Sequence, residues 1–386
     1  MQSIRVNRKA VARLSTGHPW VFTGDLTDKK AATGGSAVAV LDPHGRSLGV
    51  AHYSDSSLIS LRMLDRGRPT VDAAFFRKRI EAAAAMRARH VRDTEAYRLV
   101  HAEADLLPGL VIDRYGDCFV LQSLTQGMNA AQPWIVEALV DLFSPRAIVA
   151  RNDAAVRDKE NLPRTVDVVH GEAPEFAEFT MNGMRWRTDL LHGQKTGVFL
   201  DQRENYLAIR KFAHGRALDC FTCTGGFALH IASVCEIVDA VDSSEEAIQS
   251  AEWNRKANSI SHVHFRQADM FDLLAAYSSS RRTYDTVILD PPALAKSRNA
   301  IDAAARAYRE LNTRALRLLP PGGTLVSCSC SHHVSEAALL SVIAEASLET
   351  NRTLRVLERR TQSIDHPTLL TVPETNYLKC LIFEVL

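Results

Sequence analysis

Four acids, each closing a short apolar run, are the residues with the clearest chemical use: Asp219, Asp242, Asp269 and Asp290. The runs are RALDCF (216–221), IVDAVDS (237–243), VHFRQAD (263–269) and TVILDPP (286–292). Such runs read as buried parallel strands, and ligands of open α/β sheets bind beyond the carboxyl ends of their strands. Asp242, at the end of the second run, suits the two hydroxyls of a ribose. Asp269 ends the third, where a carboxylate can reach an adenine amino group. After Asp219 come Phe221 and the pair Gly225-Gly226, which permits a tight turn and a close approach of backbone to ligand. Each acid alone also suits a helix cap or a turn, and Ser243-Ser244 makes capping a specific alternative at Asp242. Their recurrence at successive strand ends favours a cofactor that carries a nucleoside.

The first turn lacks the three-glycine spacing that seats a pyrophosphate on a helix N-terminus, which argues against a nicotinamide dinucleotide and a dehydrogenase. S-adenosylmethionine has no pyrophosphate and needs no such spacing. Asp290-Pro291-Pro292 also has no role in hydride transfer. The expected cofactor is therefore S-adenosyl-L-methionine, and the expected enzyme a methyltransferase.

A fifth run, TLVSCSCS (324–331), places Cys328 and Cys330 on one face of a regular strand. A thiol there is either a nucleophile or one of two buried apolar cysteines. The chain has seven cysteines, an odd number, and Cys220 and Cys223 have no second pair or histidines at zinc spacing. No disulfide framework and no metal are expected.

Strand–helix alternation surrounds these runs from about residue 204. Helical stretches fall at 227–234, 244–258, 272–277, 301–319 and 335–349, and two further strands at 352–358 and 377–385, so a doubly wound, mainly parallel sheet is expected. Upstream, 36–42, 47–53 and 58–64 read as short strands of a small β-barrel. Residues 73–92 read as a helix, 107–124 as a hairpin turning at Tyr115-Gly116-Asp117, 130–143 as a helix, 147–153 as a strand and 178–189 as a hairpin turning at Asn182-Gly183. Three domains follow: 1–70, 71–187 and 188–386.

Net charge is only +1 over 386 residues, but residues 1–70 hold ten Lys/Arg against five Asp and no Glu. A second basic cluster comprises Arg77, Lys78, Arg79, Arg87, Arg89 and Arg92. Such surface neutralises phosphates or is simply a solvated face. No apolar run is long enough for a transmembrane helix, and the basic N-terminus has no apolar signal core, so a cytoplasmic protein without a membrane partner is expected.

Four motifs, GQKTGVFLDQR (193–203), LDCFTCTGGFAL (218–229), VILDPPALAKS (287–297) and SCSCSHHV (327–334), resemble the bacterial 23S rRNA methyltransferase family with an N-terminal PUA domain, the ribosomal large subunit methyltransferase I type. VNRKAVARLSTGHPWVF (6–22) carries a softer match to the PUA part. The resemblance covers nearly the whole chain. It implies an α/β architecture: a Rossmann-like class I methyltransferase domain, a PUA-like β-barrel and a small α+β central domain. It also implies ribosomal RNA as partner, gripped by shape and phosphate, and admits a homodimer.

The best-known activity of that family is methylation of carbon 5 of a cytosine. Carbon 5 is a poor nucleophile until a thiolate adds to carbon 6. Cys330 lies nearer the carboxyl end of its strand and matches the family's Ser-Cys-Ser, so it is the implied nucleophile and Cys328 is core. Asp290 would hold or protonate the ring nitrogen of the target base. Gln202 and Arg203 would contact the methionine part of the cofactor, with a surface salt bridge as the alternative for Arg203. Pro292 stands where some RNA cytosine methyltransferases carry a second cysteine, which implies a one-cysteine mechanism. Other family members methylate guanine at nitrogen 7 and need no thiol. A non-enzymatic RNA-binding protein is the remaining alternative. The base that takes the carbon 5 proton is unassigned.

Overall fold

Period-two burial builds the N-terminal strands: in β4 below, Val38 and Val40 are fully buried between half-exposed neighbours. The computed structural model describes residues 1–28, 32–193, 198–280, 282–295 and 297–386. They form two compact units, one of Met1–Gly183, Thr188–Val198 and Ile364–Thr375, the other of Met184–Arg187, Phe199–Ser363 and Asn376–Leu386.

The first unit opens with β1 (Ser3–Val6), α1 (Arg8–Ser15), β2 (Trp20–Phe22), β3 (Leu26–Asp28), β4 (Ala37–Leu41), β5 (Ser47–Tyr53) and β6 (Ile59–Asp65). They make a six-stranded sheet, ordered β2-β6-β5-β4-β1-β3. The three strands expected from the sequence are β4, β5 and β6. Next come α2 (Ala73–His90), β7 (Ala96–His101), β8 (Leu110–Tyr115), β9 (Cys118–Ser123), α3 (Gln126–Phe143), β10 (Ala147–Asn152), β11 (Thr165–Gly171) and β12 (Ala177–Met181). The sheet β11-β10-β9-β8-β7 packs with α2 and α3 around Phe76, Ile80, Leu99, Ile112, Phe119 and Ile135. The expected hairpin is β8–β9, and Gly116 takes φ +62° at its turn.

The helix expected over 73–92 is α2. Asp72 accepts from the amide of Phe75, and Phe76, Ile80, Ala83 and Arg87 form its buried stripe. Arg87 therefore leaves the basic surface cluster. Its guanidinium is buried against Asp105 and donates to the carbonyls of Arg98 and Asp365 at 2.8 and 2.7 Å. Arg77 and Arg79 are also engaged, with Asp141 and Asp65.

The second unit holds β13 (Met184–Thr188), α4 (Arg203–Ala208), β14 (Arg216–Cys220), α5 (Gly226–Ile231), β15 (Ile237–Asp242), α6 (Glu245–Ala257), β16 (Val263–Gln267), α7 (Met270–Ser278), β17 (Thr286–Leu289), α8 (Ile301–Leu318), β18 (Thr324–Ser329), α9 (Glu336–Glu349), β19 (Leu354–Arg360) and β20 (Lys379–Val385). Asn182 and Gly183, both with positive φ, form the expected turn where the chain enters this unit. The seven strands after β13 are ordered β16-β15-β14-β17-β18-β20-β19. Five run parallel, and β20 returns antiparallel to β18. This is the doubly wound, Rossmann-like sheet the sequence implied. α8 covers it with Tyr308, Leu311, Ala315 and Leu318, each almost wholly buried.

Candidate functional site

The chain builds the sheet outward from β14 through β15 to β16, then crosses back to place β17 on the other side of β14. The switch point of this topology, where such sheets bind ligands, thus lies between β14 and β17. The four acids occupy the carboxyl ends of consecutive neighbours. Asp219 is in the last turnward residues of β14, Asp242 ends β15, Asp269 follows β16 and Asp290 follows β17. Backbone bonds tie these ends together: the amide of Asp290 donates to the carbonyl of Cys220 at 3.4 Å and that of Ala268 to the carbonyl of Asp242 at 3.0 Å.

Asp219 is fully buried. Its Oδ2 accepts from Thr222 Oγ1 at 2.6 Å and from the amide of Ala228 at 3.0 Å, which fixes the loop from β14 into α5. Its Oδ1 is buried without a hydrogen bond. Burial raises the carboxyl to about 7, against the two hydrogen bonds and with a smaller push from Asp242. Asp242 accepts from the amides of Cys223 and Ser244 at 2.8 and 3.0 Å, while Ser244 itself caps α6. Asp269 is exposed and caps α7 through the amide of Asp272. The capping alternative weighed from the sequence is realised at Asp269, and each carboxylate retains acceptor capacity for a ligand.

The loop between Asp219 and α5 is strained. Phe221, Cys223 and Gly225 take φ of +65°, +50° and +92°. A bulky residue in that region costs on the order of 1–3 kcal/mol and persists where surrounding structure over-determines it. The Phe221 ring stands edge-on to Phe271 at 6.4 Å. Gly226 is required by packing, because a Cβ there would lie 2.4 Å from Tyr206 Cζ. The tight turn expected of Gly225-Gly226 is present, and the close approach at Gly226 is to the Tyr206 ring. A buried acceptor without a partner, in a strained loop at the switch point, fits a cofactor that brings its own donors.

On the other side of the switch point, Gln202 Nε2 donates to Asp290 Oδ2 at 3.1 Å. Gln202 Oε1 accepts from Asn205 at 2.7 Å, and Asn205 Oδ1 accepts from Arg360 at 2.8 Å. Arg203 is buried rather than a surface residue, with Glu204 at 3.4 Å. Within the motif of 193–203, residues 194–197 lie outside the described residues, as does Lys296 of VILDPPALAKS.

Cys328 lies in β18 opposite Cys380 of β20 and is fully buried, so its thiol is pushed well above its ordinary range by desolvation and then by Cys380. Cys330 follows the end of β18 and is half-exposed. The segment around it is held from three sides that the motifs did not reveal. Tyr308 of α8 donates to Ser329 Oγ at 2.8 Å and meets Ser331 Oγ at 3.3 Å. Ser331 Oγ accepts from the amide of Ala295, in the loop that Asp290 begins. Lys379, the one charged residue amid the apolar start of β20, donates to the carbonyls of Ser331 and Tyr377. That lone lysine in a buried strand was the available sequence signal. Among the described residues no cluster of His, Cys, Asp and Glu is arranged to hold a metal ion.

A family model for S-adenosylmethionine-dependent methyltransferases matches residues 146–384, and one for PUA-like domains matches residues 4–66. Ribosomal RNA large subunit methyltransferase I of Klebsiella pneumoniae is 38% identical over 372 residues, covering 94% of this chain and 93% of that protein. The protein of the same name from Shewanella frigidimarina is 36% identical over 382 residues, covering 96% of each. Among solved structures, a candidate SAM-dependent methyltransferase from Streptococcus mutans superposes with a TM-score of 0.84 at 20% identity, covering the whole of both chains. A further candidate methyltransferase, complexed with SAH, gives 0.86 at 20% identity, again over both whole chains. These two likenesses speak to the fold. The switch-point sheet, the full-length relatives and the two matching family models together make this chain an S-adenosylmethionine-dependent methyltransferase with an N-terminal PUA-like domain, a member of the ribosomal RNA large subunit methyltransferase I family.

Proposed function

We propose that this enzyme methylates carbon 5 of a cytosine in 23S ribosomal RNA, with Cys330 as nucleophile. The observation that carries this reading is the setting of Cys330 and Asp290. Both follow the ends of adjacent parallel strands, and Ser331, next to Cys330, accepts from the amide of Ala295 in the loop that Asp290 begins. The relatives' name supports ribosomal RNA as the substrate class.

In this reading, bound S-adenosylmethionine supplies an electrophilic methyl group. Asp219, Phe221, Gly225, Gly226, Asp242 and Asp269 line its site, with Asp242 on the ribose and Asp269 near the adenine. Gln202 and Arg203 serve the methionine end. The thiolate of Cys330 adds to carbon 6 of the cytosine, and the electron pair displaced through the ring makes carbon 5 nucleophilic. Asp290, oriented by Gln202, holds the ring nitrogen as charge develops there. After methyl transfer the carbon 5 proton is removed and the thiol is expelled.

The target base must leave its stack to reach such a site. Arg8 and Lys9 on α1, with Arg89 and Arg92 near the end of α2, are exposed and offer positive charge for RNA phosphates. We place the protein in the cytoplasm with its substrate; no described helix is long and apolar enough to cross a membrane. The three segments 1–70, 71–187 and 188–386 would serve as RNA-binding, connecting and catalytic parts.

The test uses the whole enzyme with ribosomal RNA carrying 5-fluorocytosine. A denaturation-resistant protein–RNA adduct is expected, because fluorine blocks the elimination. Cys330→Ala should abolish the adduct and lower the methylation rate on the order of a thousand-fold or more. Full activity in Cys330→Ala would instead point to direct attack by a ring nitrogen. RNA affinity should also fall steeply with salt, and a slope near zero would remove RNA as substrate.

A further inference from the structure

Lys379 is 7% exposed, at the first position of β20 and opposite Ser329 in the β18–β20 pairing. A lysine so placed in an apolar strand needs compensation. Its Nζ receives it from two backbone carbonyls, those of Ser331 and Tyr377, each at 2.7 Å. An ammonium has three N–H donors and no acceptor, and carbonyls accept more strongly from it than from a neutral amine, so the two partners favour the charged form against burial. Ser331 is the residue after Cys330. The anchored charge therefore sits against the backbone that carries the thiol.

We propose that Lys379 is a positioning residue for the nucleophile: its buried ammonium pins the segment beyond β18 and favours the thiolate of Cys330. The catalytic meaning rests on the reading of Cys330 given above; the electrostatic pairing is testable apart from it. Burial draws the Lys379 amine down to about 8, and Cys330 is the group that works against that shift. At neutral pH the amine is thus mostly protonated, and the attraction that Lys379 feels from the thiolate is felt equally by the thiolate.

Among the described residues, Tyr308, Asp290, Cys328 and Cys380 do not supply this charge. Tyr308 approaches from α8 as a neutral phenol whose ionisation burial opposes. Asp290, beyond β17, is an acid and disfavours a second negative charge nearby. Cys328 in β18 and Cys380 in β20 are buried thiols. His332 is exposed and lies at 5.3 Å, tilted, from the ring of Tyr377, whose hydroxyl donates to Asp201. Among the described residues, Lys379 is a cation that two backbone carbonyls fix beside Cys330. On ionisation the thiol proton leaves to solvent, and the electron pair left on sulfur is the one that later bonds to carbon 6.

The test is the pH dependence of alkylation of Cys330 by iodoacetamide, read by mass spectrometry of its peptide in the intact enzyme without RNA. Cys223, half-exposed in another loop, is the internal control. In Lys379→Met the Cys330 rate at pH 7 should fall about tenfold, as a one-unit rise in thiol pKa gives, with Cys223 unchanged. Lys379→Gln keeps hydrogen-bond donors without the charge and should lose nearly as much, whereas Lys379→Arg should retain most of the rate. An unchanged Cys330 profile in a folded neutral variant overturns the proposal. So does a wild-type Cys330 that titrates as a free thiol near about 8.5, a result that requires no variant to fold. Failure of the cytosine reading looks different: Cys330→Ala would methylate normally while the alkylation profiles still depended on Lys379.

Discussion

Gln202 Nε2 donates to Asp290 Oδ2 across 3.1 Å, joining the segment before α4 to the end of β17. Gln202 is 2% exposed, and its Oε1 is taken by Asn205, so the amide cannot turn over without losing both bonds. The Asp290 carboxylate is thereby held in a defined orientation.

Gln202→Leu should therefore leave Asp290 misaimed and deprive the Asn205 amide of one of its two acceptors, the other being the carbonyl of Thr361. A hydrogen bond to a charged group is worth about 1.5–3 kcal/mol, so a loss of roughly 10- to 100-fold in kcat is expected. Single-turnover methylation at saturating RNA measures it. An unaltered rate would show that the Asp290 carboxylate does not depend on this amide.

Gly226→Ala drives a methyl group into Tyr206, whose ring cannot withdraw. Tyr206 stacks on His230 at 5.0 Å, stands edge-on to Phe227 at 4.8 Å and donates to the carbonyl of Phe199. A stability loss of about 1–3 kcal/mol is expected in urea, with weaker S-adenosylmethionine binding by calorimetry. In a double-mutant cycle with Tyr206→Ala the two losses should be markedly non-additive.

Asp219 should leave its mark on the pH dependence of stability. Burial raises its carboxyl to about 7, above the ordinary 3.8. Between about pH 4 and 7 the folded chain keeps a proton that the unfolded chain has released. The contribution of this group to stability is thus full below pH 4 and declines as pH rises to 7, by up to about 1.4 kcal/mol per pH unit. Asp219→Asn preserves an acceptor for Thr222 and Ala228 and should flatten that part of the profile. Denaturant midpoints at pH 5, 6 and 7 for the two proteins would test this.

Arg87 belongs with the core of the first unit, not with its exposed basic charge. Its side chain is fully buried, bonded to Asp105 and to the carbonyls of Arg98 and Asp365. Arg87→Met should destabilise by about 3–5 kcal/mol because it strands Asp105. At a temperature where the variant remains folded, the salt slope of RNA binding should match the wild type.

The parallel sheet and the row of acids along it were legible from residue order alone. Strands buried on both faces must be apolar throughout, so β14, β17 and β18 announce themselves, and the acids at or just past the ends of β14, β15, β16 and β17 mark the carboxyl edge of the sheet. The helices were legible where a cap and a stripe agree, as in α2. The start of α3 was not, because Gly127 lies in its first turn where the His52 ring leaves no room for a Cβ, a constraint that exists only after folding. The strands β1, β2 and β3 are too short for their alternation to register. Only the packed structure shows which charges are interior: Arg87 looked like its neighbours in sequence, and for Arg203 a surface ion pair was an open alternative to contact with the cofactor. It also decided what surrounds the candidate nucleophile. Tyr308, Lys379 and Gln202 come from three distant segments and meet Ser329, Ser331 and Asp290 only because β18 pairs with β20 on one side and β17 on the other. Periodicity reports the face on which a residue lies; only the packing of one element on another reports what stands opposite.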